Sequence, residues 1–305
     1  MPAVARFRLE GVCPVLETPF TADEKIDSDS FIALIRSLHH AGVRSVMFPG
    51  FASEFFKLDA AEKEELVALL LKERGNLDGL AVIASVAQHA TTKAVDEVAK
   101  YVEWGADAIN LLPSYFSDPL PGHRRHHIEA VLEAAGNTPV ILQYAPHQTG
   151  VSMSVGDFAD LAQNYENFRQ VKVESTPPGV LISQLANADP PISSVVGYAG
   201  VQMIDALTRG AVAIQPGCSF VEIYLEIWRL WAEGRILESR DLHTRLLPYI
   251  SYWMQSVELI VQAEKTISYR RGLISNEMCR MPGRPLDEDE KNLIDRFLSE
   301  FDSYL

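Results

Sequence analysis

A chain of 305 residues with a formal charge of −14 is long enough to bury one large core and too acidic for a general nucleic-acid binder, since neutralising phosphates takes a concentrated Lys/Arg surface. Charged residues at 22% and hydrophobic ones at 47% are ordinary globular values and exclude extended disorder. Cys13, Cys218 and Cys279 are far apart and form no C-x-x-C pair, so neither a disulfide scaffold nor a thiolate zinc site is expected.

The opening MPAVARFRLEGV has no apolar stretch followed by a small-residue cleavage site, and no later apolar run is long enough to span a bilayer. The expectation is a soluble cytoplasmic protein with neither nucleic-acid nor membrane partners. From there, strand-like and helical patterns alternate. Val12 to Leu16 reads as a strand, and Phe31, Leu34, Ile35 and Leu38 mark one face of a helix over Ser28 to His40. Val43 to Phe48 is the next strand, followed through PGFASEF by a helix near Asp59, where Asp59 and Glu62 have capping-box spacing. Strands follow at Leu80 to Val86, Asp107 to Leu112, Pro139 to Tyr144, Arg169 to Val173, Ser193 to Val196 and Ala211 to Gln215. Helical sequence comes after each, including Thr91 to Trp104, a helix after Gly122, one after Ser154, and Phe220 to Ala232.

Eight strand–helix units in about 230 residues predict a (β/α)8 barrel. A doubly wound open sheet is the alternative, weakened because no strand is followed by G-x-G-x-x-G or G-x-x-x-x-G-K-[ST]. Three further helical stretches, near Leu237 to Tyr249, Tyr252 to Tyr269 and Asp287 to Tyr304, read as an appendage. The domain reading is therefore a barrel over 1–234 with a helical extension of the same domain over 235–305.

In such a barrel the reactive groups project from the C-terminal ends of the strands and the loops after them. Lys172 lies inside Arg169-Gln-Val-Lys-Val, where desolvation favours an uncharged amine able to attack a carbonyl. The same position suits the ammonium of a buried ion pair with Glu174 or Glu17, and position alone does not separate the two. Tyr144 ends the fifth strand and Tyr115 follows the fourth; each is a candidate proton carrier and equally a core tyrosine with a satisfied hydroxyl. Glu17, Glu54, Glu174 and His89 could meet at a divalent metal, but carboxylates accepting loop N–H bonds are the commoner use, and no metal is expected. Gly122-His-Arg-Arg-His-His could form an anion or metal site, but with no accompanying carboxylate or fourth ligand a solvated helix end is the expected reading.

Six segments, GVCPVLETPF, PGFASEF, DAINLLPSYF, QYAPHQTG, RQVKVES and VVGYAG, resemble in order and spacing the N-acetylneuraminate lyase and dihydrodipicolinate synthase family. The resemblance covers nearly the whole chain. It implies a lysine Schiff-base barrel acting on pyruvate or a related 2-oxo acid, without cofactor, assembled as a homotetramer or dimer. It places the imine-forming lysine on Lys172, the tyrosine of the fifth strand on Tyr144, the second tyrosine of a Pro-Tyr-Tyr stretch on Tyr115, the substrate-carboxylate loop on Gly50 to Glu54, and the glycine after the seventh strand on Gly197.

Departures from the family pattern define this chain. Phe51 and Ala52 replace the usual hydroxyl pair, leaving Ser53 as the loop's one hydroxyl; His147 and Gln148 stand where the synthase carries an arginine, in a loop one residue shorter; Tyr198 and Ala199 replace an Asp-containing turn. A bidentate arginine contact has no neutral equivalent, so aspartate semialdehyde is not expected as the second substrate. The expectation is an aldolase, lyase or hydro-lyase other than dihydrodipicolinate synthase, with substrate contacts at Gly50, Phe51, Ala52, Ser53, His147, Gln148, Gly197 and Tyr198. A metal-dependent barrel lyase and a non-catalytic binder of small acids are the alternatives.

Overall fold

Residues 7–115 and 119–305 are described by the computed structural model. Its strands are β1 (Gly11–Val12), β2 (Ser45–Phe48), β3 (Ala81–Val86), β4 (Ala108–Leu111), β5 (Val140–Tyr144), β6 (Phe168–Val173), β7 (Ser193–Val196) and β8 (Ala213–Ile214). They form one sheet in the order β1-β8-β7-β6-β5-β4-β3-β2, and a parallel bridge between Val15 and Met47 joins the first strand's continuation to the second. Chain order is thus preserved all the way round, which is the (β/α)8 barrel that the alternating pattern predicts. Among the described residues no helix is long and apolar enough to cross a membrane.

Two compact units make up the chain. The first is built on Ala81–Gly197 and Gln202–Ile214, together with the segment ending at Glu10. Its helices are α3 (Thr91–Glu103), α4 (Pro121–Ala135), the single turn α5 (Pro146–Thr149), α6 (Val155–Asn164), α7 (Gly179–Ala186) and α8 (Met203–Thr208). Strands β3 to β8 pair in parallel throughout, with Gln143 opposite Lys172 and Lys172 opposite Val195. Side chains alternate between faces along a strand, so Gln170, Lys172 and Glu174 share one face and Val171 and Val173 the other. Gln170 closes the lower end: its amide donates to Leu9 O and accepts from Leu9 N, both at 2.9 Å.

The second unit comprises Gly11–Leu80, Tyr198–Val201 and Gln215–Leu305. Its helices are α1 (Ser28–His40), α2 (Ala60–Arg74), α9 (Val221–Ala232), α10 (Ile236–Trp253), α11 (Val257–Arg270) and α12 (Glu288–Phe301). Asp59 and Glu62 form the reciprocal capping box expected at the start of α2, and Asp287 with Glu290 repeats it on α12. The appended helices divide differently from the sequence pattern. Helix α10 continues through Pro248 to Trp253, and α11 begins only after Ser256 caps it. What carries α10 past the proline is an aromatic cluster: Phe297 lies 5.0 Å from Phe220, 5.2 Å from Trp253, 5.3 Å from Tyr249 and 5.1 Å from Phe301 by ring centroid. Packing of these largely buried rings, mostly edge-to-face, outweighs the one lost helix hydrogen bond.

Phe297 is fully buried at the centre of that cluster, so Phe297→Ala is expected to cost about 3–5 kcal/mol of unfolding free energy in a denaturant titration. A loss below about 1 kcal/mol would mean that the cluster does not anchor the appended helices.

Candidate active site

Lys172 sits on the inward face of β6 with 3% of its surface exposed. Its Nζ lies 3.5 Å from Oε1 of Glu174, one pleat further along the same face. The other oxygen of Glu174 accepts a 2.6 Å hydrogen bond from Nε2 of Gln143; Gln143 Oε1 accepts from Asn110 Nδ2 at 2.9 Å, and the same Asn110 amide donates to Ser85 Oγ at 2.9 Å. Four neighbouring strands thereby contribute one polar side chain each to a ladder ending at the lysine. All are buried, and a buried polar group without partners is costly, so the ladder fixes the orientation of each amide in turn.

Gly197, at the end of β7, is explained by this carboxylate. A Cβ there would lie 2.2 Å from Glu174 Oε1 and 2.6 Å from its Cγ, so any larger residue would push Glu174 away from Lys172. Its role in the structure is to admit the glutamate.

Tyr144 does not join this group. Its strand partner is Val173, so its side chain leaves from the face opposite to Lys172. The ring packs edge-to-face on Phe158 of α6 at 5.4 Å, and the hydroxyl accepts from Met153 N at 3.5 Å. Spacing counted back from the lysine selects Tyr144, whereas the pairing of β5 with β6 sets Gln143 opposite Lys172 and Tyr144 opposite Val173. At the end of β4, Tyr115 stacks at a tilt on His89, ring centroids 4.5 Å apart, and His89 Nδ1 is 3.4 Å from Ser114 Oγ. Burial raises the Tyr115 phenol above its ordinary value and lowers the His89 imidazole, so at neutral pH both favour their uncharged forms. His147 and Gln148 are exposed on the single turn α5.

In the second unit the loop after β2 is a tight 3-10 turn over Phe51–Ser53. Ser53 is fully buried, and its hydroxyl is used by the turn itself, accepting from Gly50 N at 2.8 Å and donating to Leu16 O. Ser53 therefore shapes the loop and offers no free hydroxyl to a ligand. Gly50 must be glycine, because a Cβ would meet Val15 Cγ1 at 2.7 Å. Phe51 and Ala52 are half-exposed, with Phe51 edge-on to Phe55 at 5.3 Å. Glu54, in the left-handed region at φ 53°, accepts from the fully buried Lys265 at 2.5 Å, from Lys57 at 3.1 Å and from Arg280 N at 3.1 Å. Both of its oxygens are engaged, and it serves as a structural anchor. Tyr198 and Ala199 are left-handed as well, at φ 55° and 47°, and the turn is held by Tyr224 Oη donating to Ala199 O at 2.6 Å and by the His243 ring at 2.8 Å from Gly200 O. Two successive non-glycine residues in that region are costly without such support.

Glu17, a candidate ion-pair partner or metal ligand in the sequence, is buried without a partner among the described residues, which the pattern does not disclose. It is 2% exposed, neither oxygen has a hydrogen-bond partner among those residues, and burial raises its pKa to about 7 against the smaller opposing pull of the Lys265 charge. The basic GHRRHH segment is not a solvated end throughout: Arg124 is buried and donates to the carbonyls of Ser152 and Pro119, each at 3.2 Å.

Comparison with known proteins is consistent along nearly the whole chain. The dihydrodipicolinate synthetase family model matches residues 8–301. The chain is 28% identical over 309 residues to the 4-hydroxy-tetrahydrodipicolinate synthase of Methanopyrus kandleri, covering 96% of this chain and 97% of that one. Its fold matches the crystal structure of a dihydrodipicolinate synthase from Rhodopseudomonas palustris with a TM-score of 0.87 at 24% identity, over 95% and 97% of the two chains. It also matches a prophage protein of the dihydrodipicolinic acid synthase family from E. coli K12, solved in complex with pyruvate, with a TM-score of 0.86 at 22% identity over 96% and 98%. At these identities the structural likeness establishes the fold alone.

Two measurements check these placements. Tyr144→Phe is expected to leave the rate of any reaction at Lys172 within a few-fold of wild type, where removing a positioned acid–base group costs ~10²–10⁴-fold; a loss of that size would place the phenol at the lysine after all. Glu17 binds its proton more tightly folded, at about 7, than unfolded, at 4.5, so its ionisation takes stability away as pH rises between those values. Glu17→Gln should then be more stable than wild type at pH 8, by up to about 3 kcal/mol, with the gain vanishing by pH 4.5. Parallel melting curves that stay superimposed across this range would show that Glu17 is solvated.

Proposed function

The chain belongs to the dihydrodipicolinate synthetase family, whose members are lyases, and from that premise we propose that Lys172 forms a Schiff base with pyruvate or a related 2-oxo acid. The observation that carries this reading is the buried lysine on the inward face of β6, held beside Glu174 in a polar barrel mouth. A desolvated amine attacks the 2-oxo carbon, water leaves, and the resulting iminium withdraws electrons from the bond at the neighbouring carbon. Cleavage of a carbon–carbon bond, its formation, or loss of a β-hydroxyl as water all draw on that same electron sink. The protein is accordingly proposed to be a class I aldolase, lyase or hydro-lyase.

Its reaction is proposed to differ from that of the synthases named among its relatives. The strand position facing Lys172 from β5 carries Gln143, and His147 and Gln148 on α5 stand in place of the synthase's arginine. Phe51 and Ala52 supply backbone amides but no hydroxyl for a substrate carboxylate in the loop the family uses for that purpose. Phe51 and Tyr198 favour an apolar or aromatic acceptor in place of aspartate semialdehyde. The assembly is proposed to be a homotetramer or dimer, working in the cytoplasm.

Incubation with pyruvate and borohydride, followed by peptide mapping, is expected to leave a covalent adduct on the peptide carrying Lys172 and none in Lys172→Ala. No adduct on the wild type with any 2-oxo acid would end the Schiff-base reading. Condensation of pyruvate with aspartate semialdehyde is expected to be undetectable; measurable turnover there would show the substrate argument to be wrong.

A further inference from the structure

We propose that Glu174 is the acid–base group that carries protons to and from Lys172 Nζ as the imine forms. This rests on the Schiff-base reading above and goes beyond it by naming the proton carrier. A phenol at the end of β5 is not available for the task, because Tyr144 faces Phe158 and Met153 on the other side of the sheet. Glu174 is on the correct side, with Oε1 3.5 Å from the nitrogen. It is also confined there: the Gln143 amide holds its second oxygen at 2.6 Å, the missing Cβ of Gly197 gives it room, and its backbone N–H donates to Tyr144 O at 2.8 Å. An ion pair needed only for stability would not require a glycine on one side and a three-residue amide and hydroxyl ladder on the other, since a buried pair is weak support for a fold in any case.

The chemistry balances with no further reactant. The ammonium of Lys172 gives one proton to the Glu174 carboxylate, leaving a neutral amine and a carboxylic acid. The amine attacks the 2-oxo carbon, and a proton passes from nitrogen to oxygen to give the carbinolamine. Glu174 then returns its proton to the carbinolamine hydroxyl, water leaves, and the products are a protonated imine and the original carboxylate. That carboxylate is regenerated next to the new positive charge, which it stabilises. Gln143 and Gly197 are positioning residues for it.

The test is the rate at which pyruvate, with excess cyanoborohydride, builds up adduct on Lys172 in wild type, Glu174→Gln and Glu174→Ala, with and without sodium formate. Both variants are expected to slow by ~10²–10³-fold. Formate, a carboxylate small enough for the space vacated in Glu174→Ala, is expected to restore that variant saturably and to leave wild type and Glu174→Gln unchanged. A wild-type rate in Glu174→Gln overturns the proposal. So does a slow Glu174→Ala that formate cannot restore, because a merely structural carboxylate behaves in that way. Should Glu174→Ala not fold, Glu174→Gln decides by its rate, since it keeps the side-chain volume. A wild type that forms no adduct with any 2-oxo acid defeats the Schiff-base reading and this proposal together, whereas normal trapping in all variants defeats this proposal alone.

Discussion

The contact between Lys172 and Glu174 organises everything around it in the first unit. Two opposite charges, each almost removed from water, attract strongly, yet the desolvation cost of bringing them inside consumes most of that gain. The Gln143 amide holds the second oxygen of Glu174, Asn110 and Ser85 on the next two strands orient that amide in turn, and Gly197 leaves the space. The parallel register is what makes this possible: Gln143 opposite Lys172 puts an amide at the height where the glutamate needs a donor. A slip of one residue in β5 would bring Tyr144 to the inner face and break the ladder.

The second unit follows a similar logic with different groups. Glu54 turns left-handed so that its carboxylate meets Lys265, Lys57 and the Arg280 amide, and this pins the loop that begins at Gly50 to α11 and the segment after it. These contacts hold the loop in its tight turn. Its chemistry is pared down, because the one hydroxyl it retains, on Ser53, is committed to holding the turn. In the reading proposed above, recognition by this loop would fall to backbone amides and to the half-exposed Phe51.

Much of the architecture was legible in the sequence because it depends on local signals. The Asp59–Glu62 spacing, the helical pattern after Ser154 and the β-branched runs each carry their own physical reason, and the structure places elements there. The limits of the reading lay where contacts distant in sequence decide. Tyr144 and Gln143 are adjacent, and which of them faces inward depends on pairing with β6, which spacing along the chain does not reveal. Along the chain Glu174 suits accepting loop amides; its direction toward Lys172 depends on Gly197 and Gln143, from other strands. The helix expected over Leu237 to Tyr249 already passes Pro248; what the pattern missed is its continuation to Trp253, where Trp253 and Tyr249 pack on Phe297, and the start of α11 only at Val257. Glu17 gave no sign of its unpartnered burial, since nothing in its neighbourhood along the chain marks it.

The central claim is that a lysine on the inner face of β6 reacts while Glu174, and not Tyr144, attends its nitrogen. A crystal structure of the protein after reduction with borohydride in the presence of pyruvate tests it most directly. The account predicts continuous density from Lys172 Nζ into a three-carbon acid, a Glu174 oxygen within hydrogen-bond distance of that nitrogen, and the Tyr144 ring still against Phe158. An unmodified Lys172, or a modified one with the Tyr144 hydroxyl at its nitrogen and Glu174 turned away, would contradict it.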